Sequence, residues 1–172
     1  MDALSLLKED HGKVKKLLAE LAKTTERGVK ARTELFATIK GELSVHETIE
    51  EEIFYPELKG HPKAKDIVLE GFEEHHVVDL LMSELEAMDV DDESWGAKAI
   101  VMKENIEHHI EEEEGDMFKA ARQVFDRDEL EDLGRRMVQR KRSAQKELGV
   151  PVTAWVATGA CPNHRPSPDR AD

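Results

Sequence analysis

Along most of the chain apolar residues recur at i, i+3, i+4 and i+7, the spacing that lines one face of an α-helix. No segment alternates with the period of a half-buried strand. The pattern predicts a first helix over about 4–23, with Leu4, Leu7, Val14, Leu18 and Leu21 on one stripe, stopping near Thr24, Thr25 and Gly28. A second, about 30–54, shows Phe36, Ile39, Leu43 and Ile53, and should end near Tyr55 because Pro56 disfavours helical geometry in the residue before it. After a turn at Gly60-His61-Pro62, a third helix over about 64–88 groups Ile67, Val78, Met82 and Leu85. The acidic stretch 89–94 leads to a fourth, about 95–124, with Ala99, Met102, Ile106, Met117 and Ala120.

Four long helices with short links predict an all-α fold, an antiparallel up-down four-helix bundle over 1–125. Asp126 or Asp128 can cap an additional C-terminal helix over 126–148, with Leu130, Leu133, Met137 and Ala144 on a weak stripe; Gly149 and Pro151 end it. It is basic, and Arg135, Arg136, Arg140, Lys141, Arg142 and Lys146 are expected against the acidic fourth helix. Residues 149–172, rich in proline and polar side chains, read as a flexible tail. The chain shows no internal repeat of fixed period.

At 172 residues the chain is one domain's length. Its net charge of −13 argues against a nucleic-acid partner, which needs a basic footprint. No apolar run approaches the ~20 residues of a membrane span, and the start lacks an export signal, so a cytoplasmic location is expected. One cysteine, Cys161, excludes an internal disulfide and a cysteine-rich zinc module.

Charge matters more when carried onto the stripes. The first stripe reads Leu4, Leu7, His11, Val14, Leu18; the second Phe36, Ile39, Leu43, His46, Glu50, Ile53; the third Ile67, Gly71, His75, Val78, Met82; the fourth Met102, Ile106, His109, Glu113, Met117. One core histidine is ordinarily a hydrogen-bonded structural residue. Four imidazoles and two carboxylates together would cost several kcal/mol for each uncompensated ion, a large share of a ~5–15 kcal/mol stability. Those stripes hold no Arg or Lys nearby, so the compensation expected is a two-metal site: His11, His46, His75 and His109 as terminal ligands, Glu50 and Glu113 as bridges. Imidazole with carboxylate suits iron, manganese or zinc. Positions left open by the protein imply reactivity toward a small ligand.

The order His11, His46-x-x-x-Glu50, His75, His109-x-x-x-Glu113 resembles the H, HxxxE, H, HxxxE pattern of hemerythrin-like, or HHE cation-binding, domains. Phe54-Tyr55-Pro56, Glu74-His75, and Leu133-Gly134 ahead of a basic helix are similar to that family, over roughly 1–148. Oxygen-carrying hemerythrins use five histidines, a glutamate and an aspartate; here Asp79 stands where a second third-helix histidine would be, which favours the glutamate-rich members. That resemblance implies two iron ions, oxo- or hydroxo-bridged, ahead of manganese or zinc. It also implies chemistry on O2, H2O2 or NO, candidate catalytic roles for Glu50, Glu113 and Tyr55, and an unidentified electron donor. The alternative it leaves is an iron- or oxygen-sensing regulatory protein without turnover.

Neighbouring residues carry plainer expectations. His76 and His108 should be exposed, and Glu51, Glu52, Glu111, Glu112 and Glu114 should form solvated faces. Glu47 lies near the stripe edge, a solvated glutamate first and an extra ligand or imidazole acceptor second. Tyr55 is a packing aromatic unless leaving helical geometry turns its phenol inward; some mycobacterial-type relatives have a tyrosine before this proline, where it can bind iron. Cys161 and His164 have metal-like spacing but too few partners.

Overall fold

The computed structural model describes residues 1–151, and these form helices and short connections. Helix α1 spans Ala3–Leu21 and is opened by Asp2, whose carboxylate accepts the Ser5 N–H at 2.9 Å. Helix α2, Val29–Ile49, runs through a widened turn, Glu50–Phe54, into α3, Tyr55–Lys59. Helix α4 covers Lys65–Ala87; α5, Glu93–Glu112, passes through a second widened turn, Glu113–Met117, into α6, Phe118–Val124. The bundle therefore has four rods, α1, α2–α3, α4 and α5–α6, as the sequence predicts, with α7, Arg127–Glu147, as the extra helix.

The second rod does not stop at Tyr55. Tyr55 keeps helical angles, φ −63° and ψ −44°, and its N–H reaches the Glu50 carbonyl five residues back rather than four. A proline ring normally clashes with the preceding turn; widening that turn moves the obstructing carbonyl away, so Pro56 begins a fresh helical segment. Proline is not the whole cause, because Phe118 N–H reaches the Glu113 carbonyl in the same way with no proline nearby. The extra residue also rotates the helix beyond it. Phe54, Tyr55 and Leu58 are buried, while Ile53, expected on the stripe, is only partly so; beyond the second turn Ala121 is buried rather than Ala120.

Helix α7 begins at Asp126, which exchanges hydrogen bonds with Glu129 in a capping box. It ends on Gly149 at φ 65°, with Gly149 N–H to Lys146 and Val150 N–H to Gln145 closing the last turn. It packs on α1 and α2 rather than on the acidic fourth rod. Its buried Leu133 and Met137 share an apolar cluster with Leu6 and Ile49, and at Gly134 the chain start comes so near that a β-carbon would stand 2.5 Å from the Met1 carbonyl oxygen. Area decides this placement: the stripe buries apolar surface, and the charges follow, Arg140 to Glu52 at 2.6 Å, Arg136 to Glu57 at 2.7 Å and Lys141 to Asp10. Of the expected tail, 152–172 lie outside the described residues, and with them Cys161 and His164.

No helix among the described residues is long and apolar enough to cross a membrane. The core falls into two clusters, one around Leu7, Phe54, Tyr55, Met117 and Phe118, the other around Leu18, Ile39, Met82, Trp95 and Met102. Along each rod the ionisable residues of the stripe lie where one cluster gives way to the other. A polar layer thus crosses the middle of the bundle.

Candidate metal centre

All six stripe residues predicted as ligands are buried: His11, His46, His75, His109, Glu50 and Glu113, with Glu50 wholly inaccessible. Their ligand atoms form two groups, His11, His46, Glu50 and Glu113 in one, Glu50, His75 and His109 in the other, each within 4.8 Å. His11 Nε2 lies 3.0 Å from Glu113 Oε2, His46 Nε2 3.0 Å from Glu50 Oε1, and His75 Nε2 3.3 Å from Glu50 Oε2. Glu50 thus belongs to both groups, one oxygen toward each. Glu113 belongs to the first group, with His11, His46 and Glu50, its Oε2 3.0 Å from His11 Nε2.

Each imidazole turns Nε2 inward because a carboxylate faces its other nitrogen. His11 Nδ1 is 3.0 Å from Glu114, His75 Nδ1 2.9 Å from Glu51, His109 Nδ1 2.6 Å from Glu74, and His46 Nδ1 3.6 Å from Asp10. A carboxylate only accepts, so in the three hydrogen-bonded pairs Nδ1 donates, and a neutral ring then presents a lone pair at Nε2. His75 and His109 hold their Nε2 atoms 3.2 Å apart.

Asp10, Glu51, Glu74 and Glu114 were missed as orienting groups; Glu51 and Glu114 were expected merely to be solvated. The signal was their position one residue beside a ligand. The arrangement also corrects the expectation of no repeat. An offset of 63 residues carries His46, Glu50, Glu51 and Tyr55 onto His109, Glu113, Glu114 and Phe118, and one of 64 carries Asp10 and His11 onto Glu74 and His75. With the two widened turns superposed by the same offset, the centre is built from two like halves.

The donors present suit a cation. His11 Nε2, His46 Nε2 and all four carboxylate oxygens of Glu50 and Glu113 are buried with no hydrogen-bond partner, a concentration of orphaned acceptors that neutral protein groups cannot satisfy. Electrostatics agree. Burial alone would disfavour charge on His75, but Glu50 and Glu51 outweigh it and raise the imidazole to about 10. His46 is likewise held well above its ordinary range, burial being overcome by Glu50 and Asp10. Burial would raise Glu50, yet His46 and His75 keep it well below; Glu113 is raised by burial and by the charge of Glu50. His46, His75 and Glu113 thus hold protons that a metal ion can displace, while Glu50 is kept ionised between them.

Tyr55 is fully buried, its hydroxyl oxygen 3.4 Å from His75 Nε2 and its ring stacked on that imidazole at 5.4 Å. Its phenol does point inward, by rotation through the widened turn and not by leaving helical geometry. Burial, then the charges of Glu50 and Glu113, push it well above the usual phenol range. Glu47 is not in either donor group; it is half-buried, raised by burial to about 8, and stands on the wall of a small cavity. That cavity, about 10 Å³, lies against the four histidines and is otherwise walled by Val14, Leu43, Val78, Ile106 and Ile110. Its volume is at the threshold for one water-sized molecule. His76 and His108 are exposed as expected.

The family model described as the hemerythrin HHE cation-binding domain matches residues 2–121. A solved structure, the hemerythrin HHE cation-binding domain-containing protein that is an Rv2633c homolog from Mycobacterium kansasii, is similar at a TM-score of 0.75 and 28% identity, over 86% of this chain and 89% of that one. No protein of curated function matches significantly.

Proposed function

This chain belongs to the hemerythrin HHE cation-binding family, and from that premise we propose that it is a non-haem di-iron protein that handles a small oxidant, H2O2 disproportionation or NO turnover ahead of O2 binding. The observation that carries the proposal is the pair of buried donor groups sharing Glu50, with four imidazole nitrogens and two carboxylates turned toward one another.

In this reading His11, His46 and Glu113 would hold one ion and His75 and His109 the other, with Glu50 a donor available to both. Iron, when bound, supplies the exchange of two electrons with the oxidant. The protein's part is positional. Asp10, Glu51, Glu74 and Glu114 fix the imidazoles; Val14, Leu43, Val78, Ile106 and Ile110 wall the cavity with apolar surface and restrict its occupant to a very small molecule. Among the described residues Glu47 is the one carboxyl group on that wall, and it stands where it can exchange a proton with the occupant. Tyr55 closes the side of the His75 and His109 group, its hydroxyl 3.4 Å from the His75 nitrogen that would face an ion there.

Metal analysis of the purified chain should find two irons per chain with near-ultraviolet absorption from the bridged pair; a colourless, zinc-bearing protein would remove the redox role. H2O2 consumption by the native chain should exceed that of Glu50→Ala by at least tenfold, and equal rates would end the enzyme reading.

A further inference from the structure

The repeat that builds the inner centre leaves a difference on the two flanks of the bundle. On the first flank Asp10, the carboxylate facing His46, bonds Lys141 of α7. The residues one turn along that face are Val45 and Ile49, both buried. On the second flank the corresponding residues are Glu74, His108 and Glu112, and α7 does not cover them. Beside the carboxylate common to both, Asp10 or Glu74, the first flank has two apolar side chains and a lysine, the second an imidazole and a further carboxylate.

These three are arranged as donors. The run His108-His109-Ile110-Glu111-Glu112-Glu113 interleaves two pairs at helical spacing: His109 with Glu113 faces the bundle interior, and His108 with Glu112 faces out. His108 Nε2 lies 3.4 Å from Glu112 Oε1 and 4.0 Å from Glu74 Oε1, and one ligand atom from each residue falls within 4.8 Å of the others. Glu74 is not free to swing away, because its other oxygen is held by His109 Nδ1 at 2.6 Å. One oxygen serves the inner centre and the other points to the outer group.

We propose that Glu74, His108 and Glu112 form a second, outer site for a single divalent ion of the zinc class, occupying on this flank the electrostatic place that Lys141 fills on the other. One nitrogen and two carboxylate oxygens with solvent completing the shell is a coordination set such an ion accepts. Because Glu74 is shared, the outer ion and the orientation of His109 are coupled through one carboxylate.

The test is calorimetric titration of the chain, carrying its native core metal, with Zn2+ alone. The native protein and His76→Ala, which removes an exposed imidazole outside the group, should each bind one further Zn2+ per chain. In His108→Ala and in Glu112→Gln the affinity should fall at least tenfold with core metal content unchanged. His108 is 65% exposed in its side chain, so its replacement does not threaten the fold. No further Zn2+ in the native chain, undiminished binding by His108→Ala, or an equal loss in His76→Ala would each overturn the site. Core metal counted in the same samples separates this outcome from any failure of the di-iron reading.

Discussion

A β-carbon on Gly71 would stand 2.9 Å from the Tyr55 hydroxyl oxygen and 3.2 Å from Met117 Cε, so the glycine of α4 is the space into which the phenol fits. The repeat offsets place Leu7 and Phe118 at the matching positions of the other half. A tyrosine with a glycine opposes a phenylalanine with a leucine, and this exchange makes the two halves of the centre chemically unequal.

Gly71→Ala is therefore expected to displace the phenol from His75 and to lower stability by ~1–3 kcal/mol through overpacking. Tyr55→Phe, which keeps the ring, should cost less than ~1.5 kcal/mol. Thermal melts give the stabilities. If the phenol reaches bound iron, both variants lose the same visible absorption band; a band retained in Tyr55→Phe assigns it elsewhere.

Removing an orienting carboxylate should loosen the metal without unfolding the bundle. Glu51→Gln and Glu114→Gln occupy equivalent places in the two halves, and each should weaken metal retention ~10–100-fold, measured by competition with a chelator. Retention unchanged in both would mean that the Nδ1 contacts do not hold the imidazoles.

The sign of the pH dependence should reverse on loading. In the chelated protein His75 is raised from 6.5 to about 10, so its stabilising contribution is complete below 6.5 and is lost as pH rises toward 10. Glu47, raised from 4.5 to about 8, adds a burial cost that grows over that interval as it ionises. Glu50, held below its ordinary value, withdraws its contribution only in acid. The chelated chain should be most stable near pH 5 and weaken toward pH 9. The loaded chain, whose ligands have given up those protons, should bind metal more firmly over the same range. Melting temperatures of both forms across pH 5–9 check this, and parallel curves would refute it.

Gly134→Ala sets a methyl group against the Met1 and Asp2 backbone, 2.5 Å and 2.8 Å from the nearest atoms. It should cost ~1–3 kcal/mol. The loss should show as faster amide exchange in α7 and the start of α1, with exchange in α4 and α5 unaltered.

The rods and their ligands were legible because each stripe, read at helical spacing, exposes a misplaced ionisable residue, as His11 between Leu7 and Val14 does. The residues that escaped that spacing lay beside it. Glu51 and Glu114 each follow a buried glutamate and, one position off the stripe, still reach across the bundle to His75 at 2.9 Å and His11 at 3.0 Å. Pro56 misled because a rule for the residue before proline assumes an ordinary turn, and here the turn is widened. The place of α7 was misjudged because charge suggested the acidic fourth rod while Leu133, Met137 and the bare backbone at Gly134 settled the contact by apolar fit. The repeat stayed hidden because only the residues around the centre keep it, while Val45 and Ile49 against His108 and Glu112 show how far the outer faces have diverged.

All four histidines stand on regular helix, whereas Glu50 and Glu113 each open a segment whose backbone ladder reaches one residue too far. The imidazoles therefore rest on regular turns and the carboxylates on widened ones, so a change that tightened either widened turn would move a glutamate and leave the four histidines on their own helices.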